Sequence, residues 1–222
     1  MKNKYNKIPL IFLIFGVFLI VLISGVSMKK YVKTKEDTSA KESFAQKNSD
    51  SIKEKDKDKL FFNKPENMSE KTSIKVYKKR RVLELYANDK LIGRFKIGLG
   101  RVPEGYKEEE GDNKTPEGSY YICYRNANTK YNYFMGISYP NIEDAKRGLE
   151  KSVIDEATYN NIKKAIEEKR QPPWNTILGG AVGLHGGGNN NDWSYGCIAL
   201  TNEDINILKQ YVPNKTPIEI YK

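Results

Sequence analysis

The sequence predicts a mainly β domain with a helical insertion and a short C-terminal helix, preceded by one transmembrane helix. Three observations predict it. Short runs of strand character recur between residues 73 and 123 and again at 217–221, each bounded by turn-forming residues. One stretch, 141–171, changes to helical spacing. Residues 8–26, IPLIFLIFGVFLIVLISGV, carry no charge.

As a helix rising about 1.5 Å per residue, that uncharged run spans roughly 28 Å, close to the hydrocarbon thickness of a bilayer. It is read as an uncleaved anchor over 8–28, because GVS before Met28 makes a poor signal-peptidase site. Lysines flank both ends, so charge alone does not orient it. The seven-residue tail, 1–7, is short enough to stay cytoplasmic, which places the rest of the chain outside the cytoplasm on the cell-wall side. Residues 29–72 mix Lys, Glu, Asp, Ser and Asn with few apolar side chains. Such a composition cannot bury enough surface to fold, and as a coil it holds the domain on the order of 40 Å from the membrane. Leu60, Phe61 and Phe62 form one sticky turn in this stalk.

The formal net charge of +10 invites a nucleic-acid reading. Its distribution argues against one. Up to Thr72 there are 15 Lys and Arg against 9 Asp and Glu, and from Ser73 onward 23 against 19, so the excess is thin and no basic recognition helix stands out. The two cysteines, Cys123 and Cys197, make no CxxC pair, which excludes a thiolate zinc cage. Cys123 lies in SYYICYR, an alternating run where a small buried thiol is the usual role, so the pair is read as unbridged.

The domain, 73–222, opens with SIKVYK, RVLELYA and KLIGRFKIG. Lys79 with Arg80, and Asn88 with Asp89, suit tight hairpins between them. A Gly- and Glu-rich loop ends in GDNKTPEG at 111–118, followed by the strand around Cys123. In the insertion, Ser152 and Asp155 resemble a capping box ahead of Tyr159, Ile162 and Ile166, and Pro172 and Pro173 stop the run. It either packs on the sheet or lies as a lid over the site. Thr201 with Asp204 marks the start of a terminal helix, and PIEIY at 217–221 is the last strand.

His185 is the only histidine, at the end of a short apolar run and at the mouth of Gly186, Gly187 and Gly188. Cys197 follows twelve positions later in SYGC, after an Asn-rich loop long enough to return the thiol to the imidazole. A thiol is mostly protonated at neutral pH, and an imidazole within about 3 Å takes its proton and holds the thiolate as an ion pair. Backbone N–H groups just before Cys197 would then receive an oxyanion.

LHGGG followed by DWSYGCIAL resembles the signature of the L,D-transpeptidases of the YkuD-domain family, in which a histidine–glycine pair precedes a serine-x-glycine-cysteine element. GDNKTPEGSYYI is similar to the family's TPxG loop and strand, and MGISYPN to one of its branches. The resemblance covers roughly 73–222. It implies a YkuD-like β-sandwich acting covalently on peptidoglycan stem peptides, with His185 as general base, Cys197 as nucleophile, and Ser194, Tyr195 and Gly196 shaping the oxyanion and substrate site. The reaction it implies needs no metal or organic cofactor: Cys197 attacks the carbonyl of the third stem residue, and the acyl group passes to an amine of a second stem. Two departures bear on substrate recognition and on the acceptor: many members have histidine at Tyr195 and arginine at Ala199. Hydrolysis of the same linkages, as an L,D-carboxypeptidase or endopeptidase, is the alternative within this chemistry, and a non-catalytic wall-binding module is the alternative outside it.

Overall fold

The computed structural model describes residues 59–65 and 71–222. The expected anchor at 8–28 and most of the stalk lie outside these residues; among the described residues no helix is long and apolar enough to cross a membrane. The described residues form nine strands and three helices, in chain order. They are β1 Phe61–Phe62, β2 Thr72–Tyr77, β3 Val82–Ala87, β4 Lys90–Lys96, β5 Gly118–Asn126, β6 Phe134–Ile137, α1 Ile142–Glu150, α2 Glu156–Glu167, β7 Gly183–His185, β8 Ile198–Ala199, α3 Asn202–Tyr211 and β9 Pro217–Tyr221.

Strands β2, β3 and β4 form the meander that the sequence predicts. Asn88 and Asp89 both take positive φ (47° and 63°), the conformation a two-residue hairpin demands. Arg81 also has positive φ (53°) and donates its N–H to Lys78 O, so it belongs to the turn and β3 begins one residue later than expected.

The sheet order is β1-β4-β3-β2-β9-β5-β6-β7-β8. β5 is the hinge of this order: Gly118 to Tyr121 pair with β9, whereas the half beyond pairs with β6, and the register shifts between Ile122 and Tyr124. Gly98, just past β4, then bridges Ala199 on the far edge strand β8. The expected two-sheet sandwich is therefore one mainly β sheet curled into a half-barrel, because an irregular strand bends and serves both halves. Its concave side holds Val76, Leu83, Leu85, Ile122, Met135, Leu184 and Ile198, capped by Ile205, Leu208 and Tyr211 of α3.

Phe61 and Phe62, expected as a turn in a disordered stalk, instead pair with Arg94 and Gly93 of β4. The Phe62 ring packs on Phe95 and Tyr211, at 6.2 and 5.3 Å between centroids, and that burial outweighs the polar residues around it.

The insertion is two helices. A capping box opens α1, with Asn141 and Asp144 each bonding the other's backbone N–H. At α2 the cap is Asp155, which accepts from Thr158 N–H; Ser152, expected as the capping partner, sits in the interhelical turn with φ +57°. Ala145, Ile154 and Ile162 make a small core with Leu178, from the segment leading into β7. Tyr120 and Tyr121 of β5 tie the insertion down, donating to Asp144 Oδ2 and Arg170 O. Of the two arrangements the sequence allows, lid or packing on the sheet, the helices take the second.

Candidate active site

β7 and β8 run parallel, with Leu184 beside Ile198 and His185 beside Ala199. Leu184 and Ile198 belong to the core, so the pleat turns His185 and Ala199, together with Cys197 just before β8, to the opposite face. One strand spacing across and two residues along put the His185 and Cys197 Cα atoms roughly 8 Å apart. The fold thus brings the two residues named from sequence onto one face.

His185 is 2% exposed. Its Nδ1 lies 2.6 Å from Gly186 O. A carbonyl only accepts, so Nδ1 carries the proton and Nε2 is left with its lone pair. The ring stacks on Tyr131 at 4.5 Å and meets the edge of Trp193 at 5.4 Å. Gly186 N–H donates to Tyr131 O, which fixes that stack, and Trp193 Nε1 donates to Gly188 O. Burial lowers the His185 pKa, opposed by the Gly186 carbonyl, so the imidazole is neutral at neutral pH.

Cys197 keeps some exposed surface, although the space around its sulfur is mostly protein. Both cysteines are free. Burial pushes the Cys197 thiol up to about 11, against the Gly183 backbone and the Lys107 charge, which pull it down. Its Sγ donates to Ala181 O at 3.7 Å. Burial acts on both groups in one sense, pushing thiol and imidazole toward their neutral forms and away from the thiolate–imidazolium pair expected from sequence.

Ser194 shapes the turn before Cys197. Its hydroxyl donates to Cys197 O at 2.7 Å and accepts from Gly196 N–H at 3.1 Å. That Gly196 N–H, expected among the oxyanion donors, is therefore already engaged. Gly196 has φ +130°, and a Cβ there would stand 2.7 Å from Lys114 O, so the loop after β4 lies directly against the turn. Tyr195 projects outward, 68% exposed, with the Arg101 guanidinium 4.6 Å above its ring.

Sequence reasoning missed the supports of this arrangement. Asp192 accepts from Leu99 N–H and pairs with Arg81, tethering the Asn-rich loop to the meander. Thr115, in the TPEG motif, receives Gly100 N–H on its hydroxyl at 3.0 Å. Lys107 is buried against Asp112 at 2.7 Å. Trp193 was visible as the neighbour of SYGC, whereas Tyr131 sits in a polar loop that carries no signal in the sequence. Among the described residues no cluster of His, Cys, Asp and Glu could hold a metal ion.

The family model for the L,D-transpeptidase catalytic domain, YkuD, matches residues 71–220. No curated protein matches the chain. Similar solved structures include the helical cell shape determining protein Pgp2 from Campylobacter jejuni, at 23% identity and a TM-score of 0.48, covering 68% of this chain and 47% of that one. A variant of Pgp2 reaches a TM-score of 0.50 at 21% identity, covering 73% and 49%. An L,D-transpeptidase from Stackebrandtia nassauensis is similar at 14% identity and a TM-score of 0.41, covering 74% and 60%. The chain spans about half the length of the Pgp2 structures, and at these identities the likeness is one of fold. With well over half of its length matched by the family model, the chain belongs to the YkuD family of L,D-transpeptidase catalytic domains.

Proposed function

We propose that the protein is a cysteine-dependent peptidoglycan L,D-transpeptidase, anchored in the cell membrane through 8–28 with its domain on the wall side. One observation carries the reading: the only histidine and Cys197 share a face of the β7–β8 pair, and the Gly186 carbonyl leaves Nε2 of His185 as the basic nitrogen. With both groups neutral at rest, proton transfer accompanies attack. Nε2 takes the thiol proton as Sγ bonds to the carbonyl of the third stem residue, and Cys197 N–H is the nearest backbone donor for the oxyanion, since Ser194 holds Gly196 N–H. The imidazolium then returns the proton to the departing amine of the terminal residue, leaving a thioester. An acceptor amine, deprotonated by the same nitrogen, attacks the thioester and releases the thiol.

A second reading replaces that amine with water. Ala199, buried between His185 and Gly98, leaves an apolar methyl where the family pattern carries arginine, and acceptor choice is what that departure touches. Incubating the purified protein with two defined tetrapeptide stems and weighing the products tests both. A cross-linked dimer supports transfer, a tripeptide alone supports hydrolysis, and unchanged stems contradict either. Fractionation tests the anchor: the full chain should sediment with membranes, and deleting 8–28 should release it; a full chain that stays in the supernatant contradicts anchoring.

A further inference from the structure

Arg101 stands at the mouth of the site, exposed, on the segment that follows Gly100. Its backbone N–H donates to Ser194 O at 3.1 Å, which fixes it beside the turn that carries Cys197. Its guanidinium lies over the Tyr195 ring, and Nε donates to Trp193 O at 3.2 Å. These two contacts set the plane of the group while using one of its five N–H donors, and among the described residues its two terminal nitrogens make no hydrogen bond.

Among the described residues Arg101 has no carboxylate partner, whereas Arg81, Arg147 and Arg170 each have one in Asp192, Asp144 and Glu168. Ordering a long side chain over an exposed ring costs conformational entropy that a solvated arginine would avoid. A guanidinium held flat and left unpaired is a fork suited to a planar anion. Tyr195 is two residues from Cys197, so at most roughly 7 Å of chain separates the platform from the nucleophile. One residue advances a chain by about 3.3–3.6 Å, so the carboxylate of the single residue beyond a scissile carbonyl falls within that span. Trp193, whose carbonyl holds Arg101, also packs its ring on His185, so the anion site and the base share one support.

We propose that Arg101, braced on Tyr195, binds the free C-terminal carboxylate of the peptide that acylates Cys197, and so selects donors that end one residue past the bond to be broken. The proposal rests on the acyl-transfer reading above. The test uses the full chain and two stem tetrapeptides that differ only in ending as carboxylate or carboxamide. The wild type should favour the acid by roughly tenfold or more in kcat/KM, mainly through KM. Arg101→Gln should bring the two within about twofold, and Arg101→Lys should restore part of the preference as a point charge. A preference that survives in Arg101→Gln, or no preference in the wild type, overturns the proposal while leaving acyl transfer standing. If the wild type turns over neither stem, the acyl-transfer reading fails, and titration of the Cys197→Ala protein with both peptides decides the matter. Tighter binding of the acid that is lost on adding Arg101→Gln supports the anion site, and equal or undetectable binding overturns it.

Discussion

The His185 and Cys197 side chains are governed by the same burial with opposite consequences. His185 has its pKa lowered, so it stays neutral, and able to accept a proton, from high pH down through its ordinary value near 6.5. Acylation by a stem peptide or a carbapenem should therefore hold its rate down to about pH 6.5 and fall only in more acid solution, as the ring at last protonates. The Cys197 thiol is pushed the other way, to about 11. Iodoacetamide should accordingly modify the resting protein slowly at pH 7, with the rate climbing steadily above pH 9. An alkylation plateau extending well below pH 8.5 in the wild type and absent in His185→Ala would instead mean a standing thiolate–imidazolium pair, the arrangement expected from sequence. Sequence could name both residues but not their charge state, because burial depends on Tyr131 and Trp193, which meet the ring only after folding. Cys123, at the irregular centre of β5, has its thiol pushed to about 12 and makes an inert contrast. Cys123→Ala should keep full activity and cost at most roughly 1.5 kcal/mol in a urea titration, the scale of one buried methyl group.

At the scale of elements, the site depends on how the loop at 101–117 is pinned. Lys78, in the turn after β2, sends its ammonium under this loop to Gly105 O, Thr115 O and Glu117 Oε1 at 3.0, 2.8 and 2.8 Å. Burial lowers its pKa, with Glu117 opposing, so the loop holds a cation that water has largely lost. Lys78→Met should leave Glu117 and two carbonyls without their donor and cost roughly 3 kcal/mol or more in the urea midpoint, with reduced acylation. A loss under about 0.5 kcal/mol would show that the loop is held by other contacts. This pin was not legible in the sequence, where Lys78 reads as one more charge in a basic run. The strands themselves were, since Asn88 with Asp89 and the alternating runs fix a meander locally. The terminal helix was legible too, because Thr201 caps α3 through its own neighbour Asp204. The two-helix form of the insertion was not: Asn141, the cap of α1, closes the MGISYPN run that resembles a family branch, and its partner Asp144 lies beyond that run.

For the whole molecule, local pattern stops short of partner order. Nothing near β5 in sequence announces that its halves join different neighbours, or that Gly98 closes on Ala199 to curl the sheet. Nor does the polar stretch around 60 announce that β1 seals the edge of β4 with two rings. Phe62→Ala should therefore lower stability by roughly 2 to 4 kcal/mol although it lies outside the region that reads as a domain, and an unchanged melting curve would return those residues to the stalk. What the curled sheet achieves is to bring His185 on β7 and Cys197 ahead of β8 onto one face, which neither segment could make alone. The most direct test of that convergence is intact-mass and peptide mapping of the full chain mixed with a tetrapeptide stem and quenched in acid. The account predicts one added acyl group on the Cys197 peptide, absent in Cys197→Ala and in His185→Ala and present in Cys123→Ala. An acyl group on any other residue, or product formation by Cys197→Ala at the wild-type rate, would contradict it.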